Sequence, residues 1–117
     1  MNIASINIQG LGKGPKRVAI KRFFEYVNPM TIFFQETMSM GIDAYEFLLK
    51  LKLGWLVSTM DACGHSGGTM VGWNPQLADL RAFHTCARIL LHGKLKGFQE
   101  QMNLLNVYGP YSDRVTF

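Results

Sequence analysis

Cysteine is scarce in this 117-residue chain. Only Cys63 and Cys86 occur, which excludes a disulfide framework and suits a reducing compartment. Long apolar runs are also missing: no stretch approaches the roughly 20 residues that a membrane helix needs, so no membrane partner is expected. The opening MNIASINIQG has neither the basic start nor the apolar block of a secretory leader, which predicts an intracellular protein. Repeats and low-complexity tracts do not occur, and charged residues make up only 17% of the chain against 48% apolar ones, a globular balance and not a disordered one. The length suits one domain with its own core. Twelve Lys+Arg against eight Asp+Glu leave a net charge of +4, with cations gathered at Lys16, Arg17, Lys21 and Arg22. Such a cluster is compatible with a polyanionic partner and equally with a solvated helix face.

Period and punctuation predict the elements. NIASINI (2–8) reads as a strand and QGLGKGPK as a glycine-rich turn. Pro15 suits a first helical turn, after which Val18, Ala19, Phe23, Tyr26 and Val27 recur at helical spacing until Asn28-Pro29 stops the helix. TIFFQE (31–36) is the next strand, and IDAYEFLLKLK (42–52) a second helix. From Gly54 onward the pattern becomes short strands: GWLVSTM, GTMVGW, LRAFHTC, RILLHGKL and MNLLNVYG, with KGFQEQ as a hairpin connection. YSDRVTF reads as a capped helix start. The expected class is therefore α+β: strand–helix alternation first, antiparallel strands after.

Three arrangements of side chains could carry chemistry. Cys63, His65, His84 and Cys86 are four zinc-ligand types, and a one-residue spacing on a strand points both members of a pair to one face. Zinc sites normally use wider spacings, and two small thiols with two ordinary histidines is the plainer reading. A strand, GLGKG, a helix and a strand ending in Glu36 resemble a dinucleotide-binding unit, with Gly10 and Gly12 in place but Pro15 where a small residue belongs. Finally, Asn7 and Glu36 close the first two strands. A carboxylate beside a carboxamide suits a hard, oxygen-preferring cation such as Mg²⁺, which needs only one or two protein carboxylates and keeps several waters. The alternative is a solvated strand-end glutamate and a turn asparagine.

A family resemblance bears on that third arrangement. SINIQGLG resembles the S-x-N-x-x-G opening of the endonuclease/exonuclease/phosphatase family, the deoxyribonuclease-I-like metal-dependent phosphodiesterases. IFFQET is similar to its metal-binding strand, HSGGTMVGW to its Ser-Gly-Gly strand and NVYGP to its tyrosine strand, in the family's order over residues 2–110. The GLG after the asparagine, SGG-x-x-x-x-W and VYGP are most similar to endonuclease domains of plant non-LTR (LINE-type) retrotransposons. One departure is Ile6, where many relatives carry tryptophan.

The resemblance implies Mg²⁺ (or Mn²⁺) as cofactor, DNA, or RNA, as partner, and a nuclear setting if the retrotransposon likeness holds. Glu36 would ligate the metal. Asn7 would orient the metal site and the scissile phosphate, and Tyr108 would donate its hydroxyl to a phosphate oxygen. Ser66, Gly67 and Gly68 would be structural. Lys13, Lys16 and Arg17 are candidate contacts to nucleic-acid phosphates. The family's later Asp-x-Asn and Asp-His pairs have no counterpart in residues 1–117. The expectation is therefore an incomplete domain over 1–117: part of a four-layer α/β/β/α sandwich, inactive alone, whose intact ancestor carried a C-terminal half and a downstream reverse transcriptase. Leu104, Leu105 and Val107 would face missing strands, leaving an apolar face and open edges. A non-enzymatic nucleic-acid-binding remnant, or a fragment of a phosphatase-type relative acting on inositol phosphates or sphingomyelin, are the alternatives.

Overall fold

The computed structural model describes residues 2–8, 14–37, 41–60, 68–84 and 88–106, of which 41–43 by backbone alone. The chain runs β1 (Ile3–Asn7), α1 (Pro15–Val27), β2 (Thr31–Gln35), α2 (Gly41–Leu51), β3 (Leu56–Met60), β4 (Thr69–Trp73), β5 (Ala78–His84), β6 (Ile89–Leu95) and β7 (Met102–Asn106).

Helix α1 starts on Pro15, whose missing N–H costs nothing in a first turn. It ends on Asn28, which takes a left-handed conformation (φ 50°) and returns its N–H to the Phe24 carbonyl at 2.8 Å. Asn2 Nδ2 donates to the Val27 carbonyl at 2.6 Å and satisfies another C-terminal acceptor. The buried stripe consists of Ile20 and Phe24, with Phe23 packed against them. The stripe expected from the sequence is corrected here. Tyr26 is 91% exposed and Val18 48%, because residues two or six positions from Ile20 and Phe24 point away from their face.

Two sheets form. The first has the order β1-β2-β4-β3, with β1 parallel to β2 and the other pairs antiparallel; the second is β5-β6-β7, all antiparallel. This mixed sheet departs from the dinucleotide-binding alternative, in which parallel strands continue beyond the second.

Helices and sheets make three layers around two apolar cores. On one face of the first sheet, Ile32, Phe34 and Met70 meet Ile20, Phe24, Ala44, Leu48 and Trp55 from the helical side. Phe24 lies at the centre, with ring centroids 6.3 Å from Phe34 and 5.8 Å from Trp55. Close approach of α2 requires a glycine in β4: a Cβ at Gly72 would stand 2.5 Å from Leu48 Cδ2. On the opposite face, Met30, Phe33, Val71 and Trp73 pack on Ala78, Leu80, Ile89, Leu91 and Leu95 of the second sheet. Polar contacts also join the sheets. Ser58 Oγ lies 2.5 Å from His84 Nε2, and Gln35 Nε2 donates to Asn106 Oδ1 at 2.8 Å.

Leu104 and Leu105 were expected on one unpartnered face. The alternation of β7 separates them: Leu104 packs into the inter-sheet core, and Leu105 is 46% exposed on the other side. Val107 lies outside the described residues.

Candidate metal and phosphate site

Strand β2 lies between β1 and β4 and is covered on both faces, so all five of its residues are buried. Its sequence therefore reads as an unbroken run instead of an alternation. Thr31, Phe33 and Gln35 share the face toward the second sheet, while Ile32 and Phe34 face the helices. The run ends on Gln35-Glu36-Thr37. Gln35 and Thr37 are buried, at 7% and 2% exposure, and Glu36 between them is half-buried.

Glu36 has φ 55°, one of two non-glycine residues with positive φ among the described residues. The left-handed region costs an L-residue with a Cβ roughly 1–2 kcal/mol, and Glu has no short polar group to bond its own backbone as Asn does. The surroundings impose this conformation. On one side, the Gln35 carbonyl accepts the Ile8 N–H at 3.1 Å, and its side chain is bonded to two other strands. On the other, the Thr37 N–H donates to the Gly68 carbonyl at 3.2 Å. Gly68 itself has φ 84°, which explains why this member of the Ser-Gly-Gly motif is glycine.

Asn7 is the last residue of β1, is exposed, and lies opposite Gln35 in the parallel register. It therefore stands on the strand neighbouring Glu36, at the same end of the sheet. Lys16 anchors the start of α1 to the end of β1 by donating its Nζ to the Ile8 carbonyl at 2.8 Å. An apolar recess of about 290 Å³ beside β1 is lined by Ile6, Asn7, Ile8, Lys16, Ile20 and Phe23 among others. Ile6 packs half-buried against the helical core. The Arg17 guanidinium lies 5.2 Å from the Phe47 ring centroid and bridges α1 to α2. Lys13 and Tyr108 lie outside the described residues, as do Ser66 and Gly67.

For the zinc alternative, Cys63, His65 and Cys86 fall outside the described residues, while His84 pairs with Ser58. His92 sits between Asn103 Oδ1 and Gln101 Oε1, at 2.6 and 2.9 Å. Among the described residues no three His, Cys, Asp or Glu side chains gather as a metal cluster. Glu36 with Asn7 is one carboxylate and one carboxamide. That donor set fits a hard cation that keeps most of its water and does not fit zinc.

Gln35 and Asn106 add a buried polar pair that no sequence motif marks. Gln35 Nε2 donates to both Ser5 Oγ and Asn106 Oδ1 at 2.8 Å, and Asn106 Nδ2 donates to the Phe34 carbonyl at 3.4 Å. The available signal was a long amide ending an otherwise apolar strand, two positions after Phe33 and so on its face.

Neither a protein-family model nor a curated protein matches the sequence. Solved structures match by shape. A humanized D. rerio TDP2 carrying 14 mutations superposes with TM-score 0.67 and 15% identity, over 95% of this chain and 49% of that one. D. rerio TDP2 complexed with a single-strand DNA product gives TM-score 0.56 and 16% identity, over 88% and 43%. The chain thus spans about half the length of the first of these structures. At such identities the likeness is one of fold, and TDP2 is a member of the endonuclease/exonuclease/phosphatase fold. Two helices over a mixed sheet, itself packed on an antiparallel sheet, give this chain the architecture of part of a deoxyribonuclease-I-like sandwich.

Proposed function

We propose that this chain carries the metal-holding part of a phosphodiesterase site that acts on DNA. One observation supports the reading: Glu36 has a left-handed backbone between two buried residues at the end of β2, and Asn7 ends the neighbouring parallel strand. Strained non-glycine backbone persists only where its surroundings over-determine it, and a carboxylate so placed is poised for use. Glu36 would ligate Mg²⁺, with Asn7 orienting the ion and the phosphate. The bound cation supplies charge neutralisation at a phosphate oxygen. By the family resemblance, Tyr108 would donate its hydroxyl to that phosphate.

DNA as partner is supported by the TDP2 structure that holds single-strand DNA product. The retrotransposon lineage rests on the GLG after the asparagine, SGG-x-x-x-x-W and VYGP. Hydrolysis also needs a base for the attacking water and positive charge on the transition state. The Asp-x-Asn and Asp-His pairs that supply these in the resembling family do not occur in this sequence. Residues 1–117 therefore hold metal and phosphate without efficient cleavage.

Mn²⁺ titration followed by electron paramagnetic resonance, alongside Mg²⁺-dependent nicking of supercoiled DNA, tests this. The expected result is Mn²⁺ binding that Glu36→Ala weakens by about tenfold or more, with no nicking above that variant. Equal Mn²⁺ binding by both proteins removes the metal site. Nicking that depends on Glu36 overturns the assignment to holding alone.

A further inference from the structure

We infer that Gln35 and Asn106 are positioning residues: an inter-sheet latch that fixes Glu36 in the conformation the site uses. The inference rests on the metal-site reading above. Four observations converge on it.

First, the latch is buried, with Gln35 at 7% and Asn106 at 1% exposure. A buried amide is costly unless its hydrogen bonds are made, and an apolar residue of similar size would fill the same space without that demand. Second, the bonds are made across long separations. Gln35 Nε2 uses one donor on Ser5 Oγ and the other on Asn106 Oδ1, both at 2.8 Å, and Asn106 Nδ2 turns back to the Phe34 carbonyl. One side chain thus ties β1, β2 and β7, that is, both sheets. Third, the tie sits immediately before the strained residue. Gln35 fixes the entry to Glu36, and the Thr37-to-Gly68 bond fixes its exit. Fourth, the rest of the inter-sheet face of β2 packs without such bonds: Phe33 is purely apolar, and the Thr31 hydroxyl is buried with no partner. Adhesion between the sheets therefore does not require an amide at position 35. On β2 the polar contacts are local to the end that carries Glu36; the Ser58–His84 contact lies on β3.

The mechanism is indirect. With the latch closed, the peptide preceding Glu36 cannot rotate toward the extended geometry that strand continuation favours, and Glu36 keeps its left-handed backbone at the strand end it shares with Asn7. With the latch open, Glu36 relaxes into the ordinary extended region and its carboxylate leaves the ion. Ser5 is exposed, so water replaces its contact, and it contributes least.

The test compares Asn106→Leu, Gln35→Met and Ser5→Ala with the native chain and with Leu91→Ala, an apolar variant of the inter-sheet core that makes no latch hydrogen bond. Two readouts are used: Mn²⁺ affinity by electron paramagnetic resonance, and hydrogen exchange of the Thr37 amide relative to amides in the middle of β4. Asn106→Leu and Gln35→Met are expected to weaken Mn²⁺ about 10- to 100-fold, the range typical of groups that orient metal ligands. They should also speed Thr37 exchange at least tenfold more than β4 exchange. Ser5→Ala should shift both readouts less than threefold. Leu91→Ala should move Thr37 and β4 together and leave Mn²⁺ affinity unchanged.

The latch is overturned if Asn106→Leu leaves Thr37 protection unchanged relative to β4, or if Leu91→Ala reproduces its Mn²⁺ loss. A native chain that binds no Mn²⁺ while the Thr37 effect persists removes the metal reading and keeps the latch. The two failures are thereby told apart.

Discussion

Strand β2 buries every one of its five residues, whereas β5 in the second sheet buries only Ala78 and Leu80 and exposes Phe83 by 50%. The difference is coverage. The first sheet has helices on one face and the second sheet on the other, while the described residues cover only the inner face of the second sheet. On its outer face Phe83, Leu90 and Leu105 align across the three strands, next to a row of Arg81, His92 and Asn103. In the covered sheet a polar residue is costly and therefore informative, which is what singles out Gln35. In the half-covered sheet a polar residue is ordinary, and His92 between two amide side chains needs no functional account.

The largest predicted effect breaks the covered side. Phe24 is 1% exposed and touches Phe23, Phe34 and Trp55. Phe24→Ala removes the centre of that cluster and is expected to lower unfolding free energy by about 3–5 kcal/mol, read from urea denaturation. A loss below about 1 kcal/mol would mean that the helices do not cap this sheet as described.

A smaller effect of opposite sign belongs to the strand end. Glycine adopts positive φ without the steric cost that an L-residue with a Cβ meets, so Glu36→Gly should be more stable than Glu36→Ala by about 1 kcal/mol. Both variants should lose Mn²⁺ binding. An advantage of glycine over alanine at a ligand position is the signature of strain kept for function. Equal stability of the two variants would show that the left-handed backbone carries no cost here.

Local signals are legible in the sequence, and signals that depend on distant partners are not. Pro15, Asn28 and Pro29 bound α1 as their backbone preferences require. TIFFQ forms the expected strand, and the residues after Gly54 divide into short strands. Placement of Asn7 and Glu36 at adjoining strand ends followed from one strand–helix–strand unit. The helix face was misjudged because Tyr26 and Val18 are apolar enough to join a stripe on paper, and only the packing of Phe24 decides which stripe is used. The Gln35–Asn106 bond spans 71 residues and two sheets, so nothing local announces it. Leu104 and Leu105 were grouped by composition, although a strand cannot point neighbours the same way.

The smallest predicted effect concerns the outer face of the second sheet. Phe83→Thr and Leu105→Thr exchange exposed apolar groups for a β-branched polar one that keeps strand preference. Each should change unfolding free energy by no more than about 0.5 kcal/mol, as surface substitutions usually do. The pair together should raise the concentration at which the chain stays monodisperse in light scattering, because contiguous apolar patches drive association. Phe83 and Leu105 flank Leu90 from opposite sides, so the double variant breaks the row where either single one only shortens it. A destabilisation of about 2 kcal/mol would instead mean that this row is packed in solution. The two sheets would then be equally covered, and the contrast between β2 and β5 would lose its physical basis.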